Sequence, residues 1–341
     1  MNRIEFLKYR HDPQIDFVKG LCIIFVIWTH CMHREDLSRL LFPFWGDMAV
    51  PIFIIIQVFH YYKKGTCICM PNIVKLYKRI LQPFVIMVAL MFITQYYMYY
   101  DITEGRFSPL LYWDKRGPGS YYIFIYLELA FIIPILAPLF HKMSNKGILV
   151  FFAILSQLIE FISCITYCPD NIYRILFFRY LFLIPLGYVL ATKGLVLNKV
   201  TIFGSILSLF FLFLFNYTKL DMEPLFYTSL DNWKCCHWIC YIYIAYFFLW
   251  FLKYSYTKLS IYNKPLSCVE SIGRYSYEIY LFQIFYFGTI GNYVNNYISF
   301  IGNHLIQVII YTVGSTIMCV VPIVIIKYFS LHTKIYKQQK K

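Results

Sequence analysis

Apolar runs of about 18 residues or more recur along the chain, separated by short polar stretches rich in basic residues. Such runs are too long for barrel strands and match helices that cross a bilayer. The pattern predicts ten spans, at roughly 16–33, 42–62, 80–100, 121–140, 147–165, 172–192, 200–217, 235–252, 275–293 and 304–328. Pro51, Pro83, Pro134, Pro138, Pro185 and Pro322 fall within or at the ends of these spans. Membrane helices tolerate proline where neighbours satisfy the freed carbonyls. No repeat or soluble domain stands out, so the 341 residues read as a single domain, 1–341.

Composition agrees with that pattern. Hydrophobic residues make up 60% of the chain and charged residues only 14%. A water-soluble fold of this size has too little interior for that much apolar surface, which leaves lipid as the solvent and all-α as the fold class. A net charge of +14 is of the kind that suits nucleic-acid binding. Its distribution argues against that, because most Lys and Arg sit in alternate loops, as the positive-inside rule requires. The acidic residues Glu35, Asp36, Asp101, Glu104, Asp114, Asp170, Asp221, Glu223 and Asp231 fall in the opposite loops. This expectation puts both termini in the cytoplasm. The basic N-terminal stretch (Arg3, Lys8, Arg10) leads into a run that looks like a signal peptide. That run ends in His30-Cys31-Met32-His33-Arg34 with no small-residue cleavage site, so it reads as a retained first helix.

Ionisable residues inside spans are costly and mark function by default. The first span is the richest, with Asp16, Lys19 and His30. Eleven residues make about three helical turns, which puts Lys19 and His30 on one face about 16 Å apart along the axis. Asp16 lies within about 40° of that face. A cation at one mouth could hold an anionic donor, and an imidazole deeper in could act as base or nucleophile. The competing reading makes Lys19 an interfacial anchor and His30 a hydrogen-bonded packing residue. Asp47, Glu128, Glu160, Arg179 and Glu278 also lie in spans, where structural pairing is the ordinary explanation, and Glu128 with Arg179 is one candidate pair. His60 and His237 read as interfacial. Tyrosine clusters such as Tyr96–Tyr100 read as belt anchors. The cluster Cys235, Cys236, His237 and Cys240 leads into an apolar helix and reads as small apolar packing rather than a metal site. A disulfide among Cys164, Cys168, Cys235 and Cys236 stays open.

The stretch from Ile15 to His30, with Lys19 and His30 separated by ten residues, resembles the first-helix signature of the acyltransferase-3 family. These are membrane O-acyltransferases that modify bacterial surface polysaccharides. Val50-Pro51-Ile52-Phe53-Ile54 resembles that family's second helix, with Gln57-Val58 where Ser-Gly is usual. Lys75-Leu76-Tyr77-Lys78-Arg79 resembles its basic approach to the third helix, and Gly119-Ser120-Tyr121-Tyr122 the start of the fourth. The stretch from Ile272 to Gln283 resembles a late-helix motif that often ends in His, where this chain has Gln283.

The resemblance implies a multi-pass protein of the bacterial plasma (inner) membrane. It would take an acyl-CoA, in the simplest case acetyl-CoA, from the cytoplasm. The acyl group would pass to a hydroxyl of a surface or exported saccharide, with no permanently bound cofactor or metal. Lys19, Lys75, Lys78 and Arg79 would then meet the CoA phosphates. His30, with Lys19 and Asp16, would carry the chemistry, and Asp47, Glu128, Arg179, Ser276 and Glu278 are supporting candidates. Whether His30 is general base or acyl carrier stays open. A transporter or flippase using the buried charges as a relay is the alternative, although no inverted repeat is evident. A membrane subunit of a glycan-assembly complex without chemistry is a third.

Overall fold

In the computed structural model, residues 12–64, 70–99, 119–218, 236–259 and 265–339 are described. All regular elements among them are helical. Cys235, residues 100–118 and 219–234, and the Tyr96–Tyr100 side chains lie outside the described set. In chain order the first helices are α1 (Pro13–Cys31), α2 (Arg34–Arg39), α3 (Ala49–Lys64), α4 (Met70–Leu76) and α5 (Gln82–Tyr99). A π-helical turn, Tyr77–Leu81, joins α4 to α5. Next come α6 (Tyr122–Lys142), α7 (Asn145–Ile165), α8 (Asp170–Ile175), α9 (Leu183–Lys193), α10 (Lys199–Tyr217) and α11 (Leu249–Leu259). The chain closes with α12 (Pro265–Arg274), α13 (Ser276–Gly288), α14 (Gly291–Ile298) and α15 (His304–Gln339).

Among the described residues, eight stretches are long and apolar enough to cross a membrane. They coincide with all the expected spans except the sixth and ninth. The protein is therefore an all-α polytopic membrane protein. The sixth segment is broken into α8, the 3-10 turn Phe177–Tyr180 and α9. Pro185 sits in the first turn of α9, where the early backbone N–H groups have no intrahelical partner. The ninth segment stops at Gly288, whose carbonyl accepts a 2.7 Å hydrogen bond from Gln95 Nε2.

Contacts divide the chain into two compact units. One comprises residues 1–33, 77–120 and 259–341, the other 34–76 and 121–258. In the second unit, α9 is buried from Leu183 to Ala191. A helix apolar all round belongs in an interior. It approaches α3 closely, since a side chain on Gly187 would stand 2.7 Å from Val58 Cβ. Thus Gly187 supplies the room that Val58 takes up on α3. Gln57 donates to the Tyr126 carbonyl at 2.9 Å. Tyr62, Phe140 and Tyr188 form a ring cluster beside them.

The first unit is a bundle whose helix directions are fixed at both ends. Ile80 and Gln95 of the third segment meet Tyr277 and Gly288, so that segment and α13 run parallel. Glu278 and Tyr286 meet Lys327 and Ser315, so α15 runs antiparallel to α13. His30 at the end of α1 meets Phe287 at the end of α13, while Asp16 near its start meets Gly273, just before α13 begins. Spans one, three and nine therefore share a direction and span ten opposes them, as the expected alternation requires.

Candidate functional site

The site lies within the first unit and is built on α1. That helix starts where it does for a local reason. Asp12 caps it, its carboxylate accepting from the Gln14 and Ile15 backbone at 2.9 and 3.4 Å, and Pro13 occupies the first turn. Lys19 and His30 then follow on one face of an unbroken helix.

At the Lys19 end, Lys19 Nζ forms a 2.6 Å ion pair with Asp16. The Asp16 side chain is 3% exposed and that of Lys19 is 21% exposed, so the cation keeps a route to solvent while its partner is covered. Asp16 lies about 21 Å along the axis from His30. Its carboxylate therefore serves Lys19 and is not in reach of the imidazole. The amphipathic α12 lies against this part of α1 with almost no separation. A side chain on Gly20 would run into the Val269 carbonyl, and one on Gly273 into the carbonyl of Asp16. The exposed Arg274 follows directly. Two residues into α13, the Tyr277 hydroxyl donates to the Ile80 carbonyl at 2.6 Å. That carbonyl belongs to the π turn carrying the exposed Lys78 and Arg79. π turns leave backbone groups to be satisfied by others and recur at functional sites. The bundle thus gathers the elements bearing Lys19, Lys78, Arg79 and Arg274 at one end. Lys75, on α4, belongs to the other unit.

At the opposite end, His30 is half-buried in the last turn of α1. Its ring meets Phe287 edge-on, with centroids 5.8 Å apart. Gly119 closes the Nε2 side. A methyl group there would stand 3.5 Å from His30 Nε2, 3.4 Å from Gln283 Nε2 and 3.7 Å from the Tyr280 ring. Gly119 has φ +86°, which glycine adopts freely and other residues rarely do. The Tyr280 hydroxyl holds the Gly119 carbonyl at 2.7 Å. Tyr280, Gln283 and Phe287 recur at helical spacing, so one face of α13 is turned to His30. Behind α1, Trp28 Nε1 bonds Thr316 of α15 at 3.1 Å and fixes the helix in rotation.

Two of the other charged candidates, Glu278 and Glu128, have structural partners. Glu278 pairs with Lys327 at 2.7 Å, and Lys327 also lies 6.0 Å from the Tyr275 ring. Ser276 opens α13. In the second unit, Glu128 accepts a 2.6 Å hydrogen bond from the Phe177 backbone, at the start of the turn that contains Arg179. Arg179 is buried there, and its carbonyl accepts from the Tyr241 hydroxyl at 3.1 Å. Asp47 stands between a 3-10 turn and α3. His237 is buried, and its ring accepts from the Ile239 backbone at 3.4 Å to cap a 3-10 turn.

The sequence picks out His30 and Lys19 but attaches no role to Gly20, Gly273, Tyr277 or Tyr280. Gly20 lies in the Ile15–His30 stretch and Gly273, Tyr277 and Tyr280 in the Ile272–Gln283 motif, which spans the end of α12 and the start of α13.

The fold and this site define a polytopic membrane protein carrying an imidazole and a cation on one helix. The acyltransferase-3 family model, described as an acyltransferase domain, matches residues 12–326. The chain belongs to this family and is a membrane acyltransferase. No curated protein and no solved structure matches it.

Proposed function

We propose that the protein moves an acetyl group from acetyl-CoA, taken up at the cytoplasmic face of the bacterial inner membrane, to a hydroxyl of a surface or exported saccharide. The observation that carries this reading is the shared face of α1, with a solvent-reaching cation at one end and His30 about 16 Å further along. Phosphates held by Lys19, Lys78 and Arg79 would anchor the donor by charge-assisted hydrogen bonds. Its thioester would extend on the pantetheine arm toward His30. The imidazole then takes the proton of the acceptor hydroxyl, or accepts the acyl group and passes it on.

In cells producing the His30→Ala protein at the wild-type level, the ester content of the surface glycan should fall to that of a deletion strain. Mass spectrometry of the purified glycan reads it, and an unchanged ester content would sink the proposal.

A further inference from the structure

We infer that Gln283 is a catalytic residue of this transfer, its side-chain N–H donating to the oxygen that gains charge when the acyl carbonyl is attacked beside His30. The inference rests on the acyl-transfer reading above. Gln283 is fully buried on α13, on the face turned to His30. A buried amide on an otherwise apolar helix is costly unless its groups are used in hydrogen bonds. Its Nε2 and that of His30 border the same small space, the one a side chain on Gly119 would fill. Tyr280, one turn away, holds the Gly119 backbone in place by its 2.7 Å hydrogen bond. A glutamine amide does not titrate in water, so its contribution here is hydrogen bonding rather than proton transfer.

The step balances. A lone pair of the acceptor hydroxyl forms a C–O bond to the thioester carbon. The carbonyl π pair moves onto oxygen, where Gln283 Nε2 donates to it. The hydroxyl proton passes to His30. Collapse restores the carbonyl and breaks the C–S bond, and the leaving thiolate takes the proton from His30. The products are an ester and a free thiol. An acyl-imidazole route passes through an oxyanion beside the same nitrogen, so the role of Gln283 holds for both.

The test uses inverted membrane vesicles carrying the full chain, supplied with radiolabelled acetyl-CoA, with label counted in the glycan fraction per amount of protein. Gln283→Leu should lower the maximal rate about 100-fold or more while leaving KM for acetyl-CoA unchanged. Gln283→Met, which keeps the length of the side chain but offers no donor, should fall as far, with equal protein in the membranes showing that the variant folds and inserts. Gln283→His, which restores an N–H, should recover at least about tenfold over Leu. A wild-type rate in the Leu or Met variant, with His30→Ala inactive, would overturn this inference alone. A wild-type rate in His30→Ala would overturn the acyl-transfer reading together with it.

Discussion

At Gly119 the backbone turns through φ +86° directly against the imidazole of His30. Gly119→Ala therefore strains the turn and places a methyl between His30 and Gln283. The strain is on the order of 1–2 kcal/mol, small beside the loss of access. The variant should insert normally yet transfer acetyl groups at least about tenfold more slowly, measured as maximal rate at matched protein level. Lys19 is the second residue whose role is particular. If it holds a donor phosphate, Lys19→Ala should raise KM for acetyl-CoA about tenfold or more with a smaller effect on kcat. Lys19→Arg should retain most activity, because a guanidinium serves phosphate at least as well. An unchanged KM in the Ala variant would remove Lys19 from donor binding. In the sequence, helical phase put Lys19 and His30 on one face. It also grouped Asp16 with His30, because phase around a helix says nothing of height along it. The structure separates the two by pairing Asp16 with Lys19 at 2.6 Å.

Between elements, the close approach of α12 to α1 is the tightest feature of the first unit. A Cβ on Gly273 has no room against the Asp16 backbone. Gly273→Ala should destabilise the protein by about 1–3 kcal/mol, the range for overpacked sites, and lower the detergent melting temperature. A melting temperature equal to wild type would show that this contact is looser than the structure has it. The Tyr277 hydrogen bond to the π turn makes a subtler demand. Tyr277→Phe leaves the Ile80 carbonyl without that donor and loosens the segment bearing Lys78 and Arg79. An ordinary hydrogen bond is worth about 1 kcal/mol net, so KM for acetyl-CoA should rise about fivefold while the melting temperature barely moves. Eight of the expected spans fall in stretches long and apolar enough to cross a membrane, because such runs are local in origin. The sixth and ninth are broken by partners distant in sequence. The Arg179 carbonyl accepts from Tyr241, and the Gly288 carbonyl from Gln95. Hydropathy carries no trace of such pairings.

For the whole molecule, the first unit shows segments one, three and nine running one way and ten the other. The sidedness follows from charge, and reporter fusions check it. A fusion after Ser144 should report the cytoplasm and one after Cys168 the outside, by the expected topology. The reverse result would invert the proposed donor face. From the sequence alone came the membrane class, the helical architecture, eight of the ten expected segments and the His30–Lys19 face. These depend on local hydropathy and on the fixed period of a helix. The tertiary structure alone decided which residues surround His30. Gly119, Tyr280 and Gln283 reach it from positions about 90 or more residues away along the chain, through one hydrogen bond, one turn with positive φ and one helix face. Such proximity is a property of how helices pack, and no periodicity within one segment contains it.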